Sequence, residues 1–198
     1  MKKDILRKLS DENNGYLFTA EVLSRKISKT YLSKFVKENG YERVAHGIYA
    51  APDIWPDELY LLQKMNPKII FSGETALYIH GLTDREYGRI EVTVPRGYNA
   101  VHLRKKKIQV RSLKEELYEL GETVAESGYG NQIVVYDKER AVCDAVMNRK
   151  KMDVQMFQTV MKEYMSDSGR RNRKCKMEKI RRRKNRRGIY ARNKKESK

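Results

Sequence analysis

The sequence predicts an α+β chain: an N-terminal winged helix-turn-helix, then a mixed α/β domain, then a basic C-terminal tail. Three observations predict it. Residues 18–49 (FTAEVLSRKISKTYLSKFVKENGYERVAHGIY) hold two short helical patterns followed at once by a hairpin pattern. Residues 69–165 mix period-2 runs with amphipathic helical runs. From Gly169 onward the chain is dense in Arg and Lys, with no sustained period.

The elements follow in order. Lys3 to Ser10 is amphipathic, with Ile5, Leu6 and Leu9 on one side, and 11–15 (DENNG) ends it. The second pattern of the helical pair opens at Ser28, whose hydroxyl can accept a free N–H of the first turn. Tyr31, Leu32, Phe35 and Val36 share one face, and Lys29, Thr30, Ser33, Lys34 and Lys37 lie off it. Asn39-Gly40 tolerates the left-handed conformation that ends a helix. Tyr41–Val44 and Gly47–Ala50 read as strands joined through Ala45-His46-Gly47. In such a layout the second helix enters the major groove of DNA and the hairpin touches flanking backbone. Ser28, Lys29, Thr30, Ser33 and Lys34 would face base edges or nearby phosphates. Arg25, Lys26, Lys37, Arg43 and His46 would hold the backbone. Helix-plus-hairpin units also serve as protein-binding modules, and that alternative stays open here.

The first domain closes near Ala51-Pro52-Asp53, which sets boundaries of 1–53, 54–168 and 169–198. Pro56 to Met65 reads as a helix with Pro in its first turn and two acids behind it. Lys68–Phe71, Arg89–Val94, Ile108–Leu113, Thr123–Glu126 and Gln132–Tyr136 read as strands. Glu74–His80, a segment N-capped by Asp137 and running to Asn148, and Met152–Met165 read as helices.

The formal net charge of +17 is unevenly placed. Residues 169–198 hold 16 Lys and Arg against 2 acids, whereas the first 168 residues hold 27 against 24. The excess therefore belongs to the tail, where it bears on solubility and nonspecific binding rather than on fold. Cys143 and Cys175 have neither zinc spacing nor a disulfide framework, so a reduced cytoplasm is expected. The first fifteen residues lack the apolar run of a signal peptide, and no stretch has the length of a membrane span.

Catalytic chemistry is not expected. The acids of residues 69–94 are Glu74, Asp84, Glu86 and Glu91, and Glu91 is the lone carboxylate of the strand RIEVTV. A two-metal site wants carboxylates that converge on one metal pair. His46, His80 and His102 have no ligand spacing with each other or with either cysteine, and His80 at a helix end is expected to cap carbonyls. No metal ligand, catalytic residue or cofactor is assigned.

Three segments in order carry a family resemblance: HGIYAAPD (46–53), GETALYIHGLTDREYGRIEVTVPRGY (73–98) and VYDKERAVCDAV (135–146). Together they resemble the AbiEi family, the abortive-infection antitoxins and transcriptional regulators of bacterial type IV toxin–antitoxin systems. The resemblance implies a winged helix-turn-helix that binds the operon's own promoter and a C-terminal domain needed for antitoxin action. It implies a nucleotidyltransferase-type toxin as functional partner, opposed without a stable complex. GETALYIHG also looks like the opening motif of nucleotidyltransferases without its paired acids, hence a degenerate segment. Members of the family continue past the Tyr164 region into further apolar helices, which 166–198 does not resemble. Two other function classes remain: a divergent nucleotidyltransferase-like enzyme, and a nucleic-acid-binding protein acting mainly through its basic tail.

Overall fold

The computed structural model describes residues 2–166; the basic segment 169–198 lies outside the described residues. The chain is mixed α+β, with helices and two sheets. The described residues fall into two compact units, one of residues up to 65 with 127–131, the other of 66–126 with 132–166.

The first unit runs α1 (Lys2–Glu12), β1 (Tyr16–Phe18), α2 (Thr19–Ser24), α3 (Lys29–Glu38), β2 (Glu42–Ala45), β3 (Ile48–Ala50) and α4 (Glu58–Met65). Its sheet has the order β1-β3-β2, with both pairings antiparallel. The helices form because each has one apolar stripe. Leu6 and Leu9 of α1, Val22 of α2, and Leu32, Phe35 and Val36 of α3 meet Leu17 and Ile27 in one buried cluster. The hydroxyl of Ser28 accepts the Tyr31 N–H at 3.3 Å, as an N-cap should. Gly40 takes φ +71°, and the Tyr41 N–H returns to the Val36 carbonyl at 3.0 Å, so the last turn of α3 closes on itself. Gly47, at φ +73°, makes the hairpin turn.

The sequence put the first boundary after Asp53, but the compact unit runs through α4. The reason is aromatic and polar packing. The Tyr60 ring lies 5.4 Å from Tyr16 and 6.3 Å from Phe18, and Lys64 Nζ sits 5.3 Å from the centre of the Phe18 ring. Buried Asp57 accepts the Tyr60 N–H at 3.1 Å on one oxygen and Asn131 Nδ2 at 2.8 Å on the other. That second oxygen also takes the Ser127 hydroxyl, which ties the 127–131 loop to the start of α4.

The second unit contains β4 (Ile70–Phe71), α5 (Gly73–Ile79), β5 (Glu91–Pro95), α6 (Val101–Lys105), β6 (Gln109–Leu113), α7 (Glu115–Tyr118), β7 (Glu122–Glu126), β8 (Gln132–Tyr136), α8 (Lys138–Asn148) and α9 (Val154–Ser166). Its five-stranded sheet has the order β6-β5-β4-β8-β7. β5 and β6 are parallel, as are β4 and β8; the other two pairings are antiparallel. Val92 and Val94 are buried on one face of β5, as their alternation predicts. Asp137 caps α8 by accepting the Arg140 N–H at 2.7 Å.

β1, α6 and α7 were not expected from the sequence. His80 also differs from expectation. It stands at the C-cap of α5, but its Nε2 donates to the Tyr136 carbonyl of β8 at 2.7 Å rather than to its own helix end. No helix among the described residues is long and apolar enough to cross a membrane.

Candidate nucleic-acid interface and a charged cavity

The ten residues expected to meet DNA are all exposed. Arg25 and Lys26 occupy the turn after α2, with Lys26 at φ +59°. Ser28 caps α3, which leaves its hydroxyl proton available to donate. Lys29, Thr30, Ser33, Lys34 and Lys37 lie on the face of α3 opposite the buried Leu32, Phe35 and Val36. Arg43 is on β2 and His46 is in the turn before β3. The Arg43 Nε donates to the Ala45 carbonyl at 3.4 Å.

Two acids border this surface. Glu38 lies 3.4 Å from Lys3 and 3.8 Å from Lys34, and Glu21 holds the Asn13 amide at 2.8 Å. The Glu38 pairs are solvent-exposed, and exposed pairs of this kind contribute ~0–1 kcal/mol. A phosphate could therefore draw Lys34 away at little cost.

The second unit holds a cavity of about 640 Å³ that sequence reasoning missed. Its floor is the start of β5 and β6, where Glu91 pairs in register with Gln109, and Thr93 with Arg111. Alternation puts Glu91 and Thr93 on one face of β5, away from Val92 and Val94. Residues 72–74 at the start of α5, Arg89 before β5, Asn148 at the end of α8 and Lys151 beyond it also line the cavity. Three cations and two carboxylates thus share one concavity.

Glu91 is the pivot of that arrangement. Burial, then the charge of Glu74, pushes its carboxyl up to about 7, against a smaller opposing pull from Arg111. The carboxylate also takes the Glu74 backbone N–H and lies directly over Gly73. Behind it, Asp144 Oδ2 is 3.5 Å from Arg111 and 3.0 Å from the Nε of the fully buried Arg140.

A pH prediction follows from Glu91. Its folded-state affinity for the proton exceeds the unfolded one, so the folded chain holds more protons between its ordinary value of 4.5 and about 7. Its contribution to stability should therefore fall as pH rises through that window and level off above it. Discounted for partial solvent contact, the fall is roughly 1–2 kcal/mol. Glu91→Gln should remove it. Urea unfolding at about pH 5 and 8 should show the variant gaining on the wild type at the higher pH. Parallel pH profiles would contradict this.

No protein-family model matches the chain, and no curated protein sequence matches it significantly. Among solved structures, the chain is similar to the crystal structure of the RV2827C protein from Mycobacterium tuberculosis, at 11% identity and a TM-score of 0.49. That likeness covers 76% of this chain and 61% of the other, so this chain spans less than two thirds of its length.

Proposed function

We propose that the first unit is a winged helix-turn-helix, and that the protein is a sequence-specific DNA-binding regulator that represses its own promoter. The observation that carries the proposal is the division of α3. Leu32, Phe35 and Val36 are buried, whereas Lys29, Thr30, Ser33, Lys34 and Lys37 all face solvent. A helix anchored on one side, with lysines and hydroxyl groups on the other, suits a duplex groove. The helix–turn–helix–hairpin order of α2, α3, β2 and β3 supports the same reading.

Promoter binding is the test. A gel shift on the upstream promoter should detect wild-type binding. The Lys29→Ala/Lys34→Ala double variant should bind at least several-fold more weakly, since each good contact is worth ~1–3 kcal/mol. Two lost phosphate contacts would also reduce the salt dependence by about two counterions. Equal binding by both proteins would remove these roles from α3.

The antitoxin role rests on the AbiEi resemblance of segments 46–53, 73–98 and 135–146. In this proposal the protein opposes a co-encoded nucleotidyltransferase-type toxin of a type IV system without forming a stable complex. The second unit performs no catalysis and uses no cofactor. Co-expression with the toxin encoded beside it should restore growth, and continued arrest would overturn the assignment.

A divergent nucleotidyltransferase-like enzyme is the second reading, and one observation favours it: Glu74 and Glu91 meet in the cavity although they stand 17 residues apart. Incubation with labelled nucleotides, Mg²⁺ and tRNA tests it. Incorporation abolished by Glu91→Ala would establish an enzyme; no incorporation would dismiss it.

A further inference from the structure

The cavity of the second unit presents two opposed kinds of group. On the cationic side, Arg89 and Lys151 are exposed, and neither has an ion-pair partner among the described residues. Arg111 is already engaged, 3.5 Å from the buried Asp144. On the anionic side stand Glu74 and Glu91, with Glu91 held over Gly73. A simple anion would approach two carboxylates, and a simple cation would approach three positive side chains. Among the described residues no group of three His, Cys, Asp or Glu side chains could hold a metal ion. Both charges are best met by one molecule that carries both, and a cavity of about 640 Å³ is in the size range that takes small ligands.

We infer that this cavity is a binding site for a small zwitterion, its ammonium or guanidinium group against Glu91 and Glu74 and its carboxylate or phosphate against Arg89 and Lys151. Charge-assisted hydrogen bonds at both ends supply the affinity. Asn148 holds its amide by donating to the Asp144 carbonyl at 2.7 Å, which leaves the amide oxygen as a further acceptor in the lining.

The site carries a proton signature. The groups facing Glu91 are Glu74 from α5, Arg111 from β6 and Asp144 from α8, with Arg89 two residues before β5 and Lys151 beyond the end of α8. Near pH 7 Glu91 is partly protonated. A cationic group placed beside it favours the carboxylate, so binding releases a proton and tightens as pH rises through about 7.

Titration calorimetry on the full chain tests the inference. L-arginine pairs a guanidinium and an ammonium with a carboxylate, and O-phosphoethanolamine pairs an ammonium with a phosphate, so the two arms cover both kinds of cationic and anionic group. Methylguanidine and inorganic phosphate supply each charge alone. At least one zwitterion should bind with a Kd below about 1 mM, and each half-molecule should bind at least about tenfold more weakly. Glu91→Gln and the Arg89→Ala/Lys151→Ala double variant should each weaken zwitterion binding by about tenfold or more. Buffers of different ionisation enthalpy should reveal proton release in the wild type and none in Glu91→Gln. Circular dichroism of both variants should match the wild type, so that lost binding reports the site. Inorganic phosphate binding as tightly as either zwitterion, zwitterion binding unchanged in the variants, or no zwitterion binding would each overturn the inference. The promoter-binding proposal rests on the other unit and fails or stands separately.

Discussion

Arg140→Leu is expected to cost about 3–5 kcal/mol of stability, the usual range for breaking a buried ion pair from one side. Arg140 is fully buried within the second unit. Its Nε donates to Asp144 at 3.0 Å, and its Nη1 donates to the carbonyls of Leu117 and Leu120 at 3.0 and 2.9 Å. The guanidinium lies 4.6 Å from the centre of the Tyr136 ring, and Nη2 has no hydrogen-bond partner. One side chain thereby joins the helix α8 to the segment around α7. Its loss leaves the buried Asp144 carboxylate without its fully buried partner and facing the partly exposed Arg111 at 3.5 Å. Two carbonyls lose donors at the same time, each loss costing of order 1–3 kcal/mol where water cannot replace it. Arg140→Lys should recover little, because an ammonium cannot fork to three acceptors in these directions. The informative partner is Arg140→Leu/Asp144→Leu. Removing both charges abolishes the uncompensated carboxylate, so the double variant should be more stable than Arg140→Leu alone. Urea denaturation measures all three. A loss below about 1 kcal/mol for Arg140→Leu would mean that the network holds nothing together.

This network also marks where the sequence stops being legible. Everything about α3 is local: the Ser28 cap, the apolar stripe and the Asn39-Gly40 stop lie within thirteen residues and need no partner to be read. The long helices α8 and α9 and the alternating strands β5 and β6 are legible for the same reason. β1 is not, because three residues cannot show a period, and Tyr16–Phe18 is a strand only through its pairing with Ile48–Ala50. α6 and α7 are five and four residues long, too short for a helical face to repeat. The α4 segment is recognisable as a helix, but its apolar face fits either domain; Tyr16, Phe18 and the Asp57 bonds decide, and they come from elsewhere in the chain. The cavity fails the sequence for a further reason. Along β5 Glu91 stands alone among carboxylates, and its neighbours Glu74 and Arg111 arrive from α5 and from the parallel strand β6. The Arg140–Asp144 pair did leave a trace, since an Arg and an Asp four apart in VYDKERAVCDAV face each other on a helix. Nothing in that spacing says that the pair is buried.

Gly73→Ala is expected to destabilise the second unit by roughly 2–4 kcal/mol, and most of that should depend on Glu91. Two costs combine at this position. Gly73 has φ +56°, where an L side chain pays about 1–2 kcal/mol. A Cβ there would also overlap the Glu91 carboxylate. The carboxylate is the far end of a flexible side chain and could swing aside, but it would give up the Glu74 N–H that it accepts. The size of the second cost therefore measures how firmly Glu91 is held at the cavity floor. A double-mutant cycle isolates it. In a Glu91→Ala background, Gly73→Ala should cost only the backbone term and the milder approach to the residue 91 Cβ, 3.3 Å away. A coupling of about 1 kcal/mol or more between the two positions is expected in urea unfolding at about pH 8, where Glu91 is mostly ionised. Equal costs in both backgrounds would mean that Glu91 moves freely. A freely moving Glu91 could not present a fixed carboxylate to a ligand, so this stability measurement also constrains the geometry of the cavity without using any ligand.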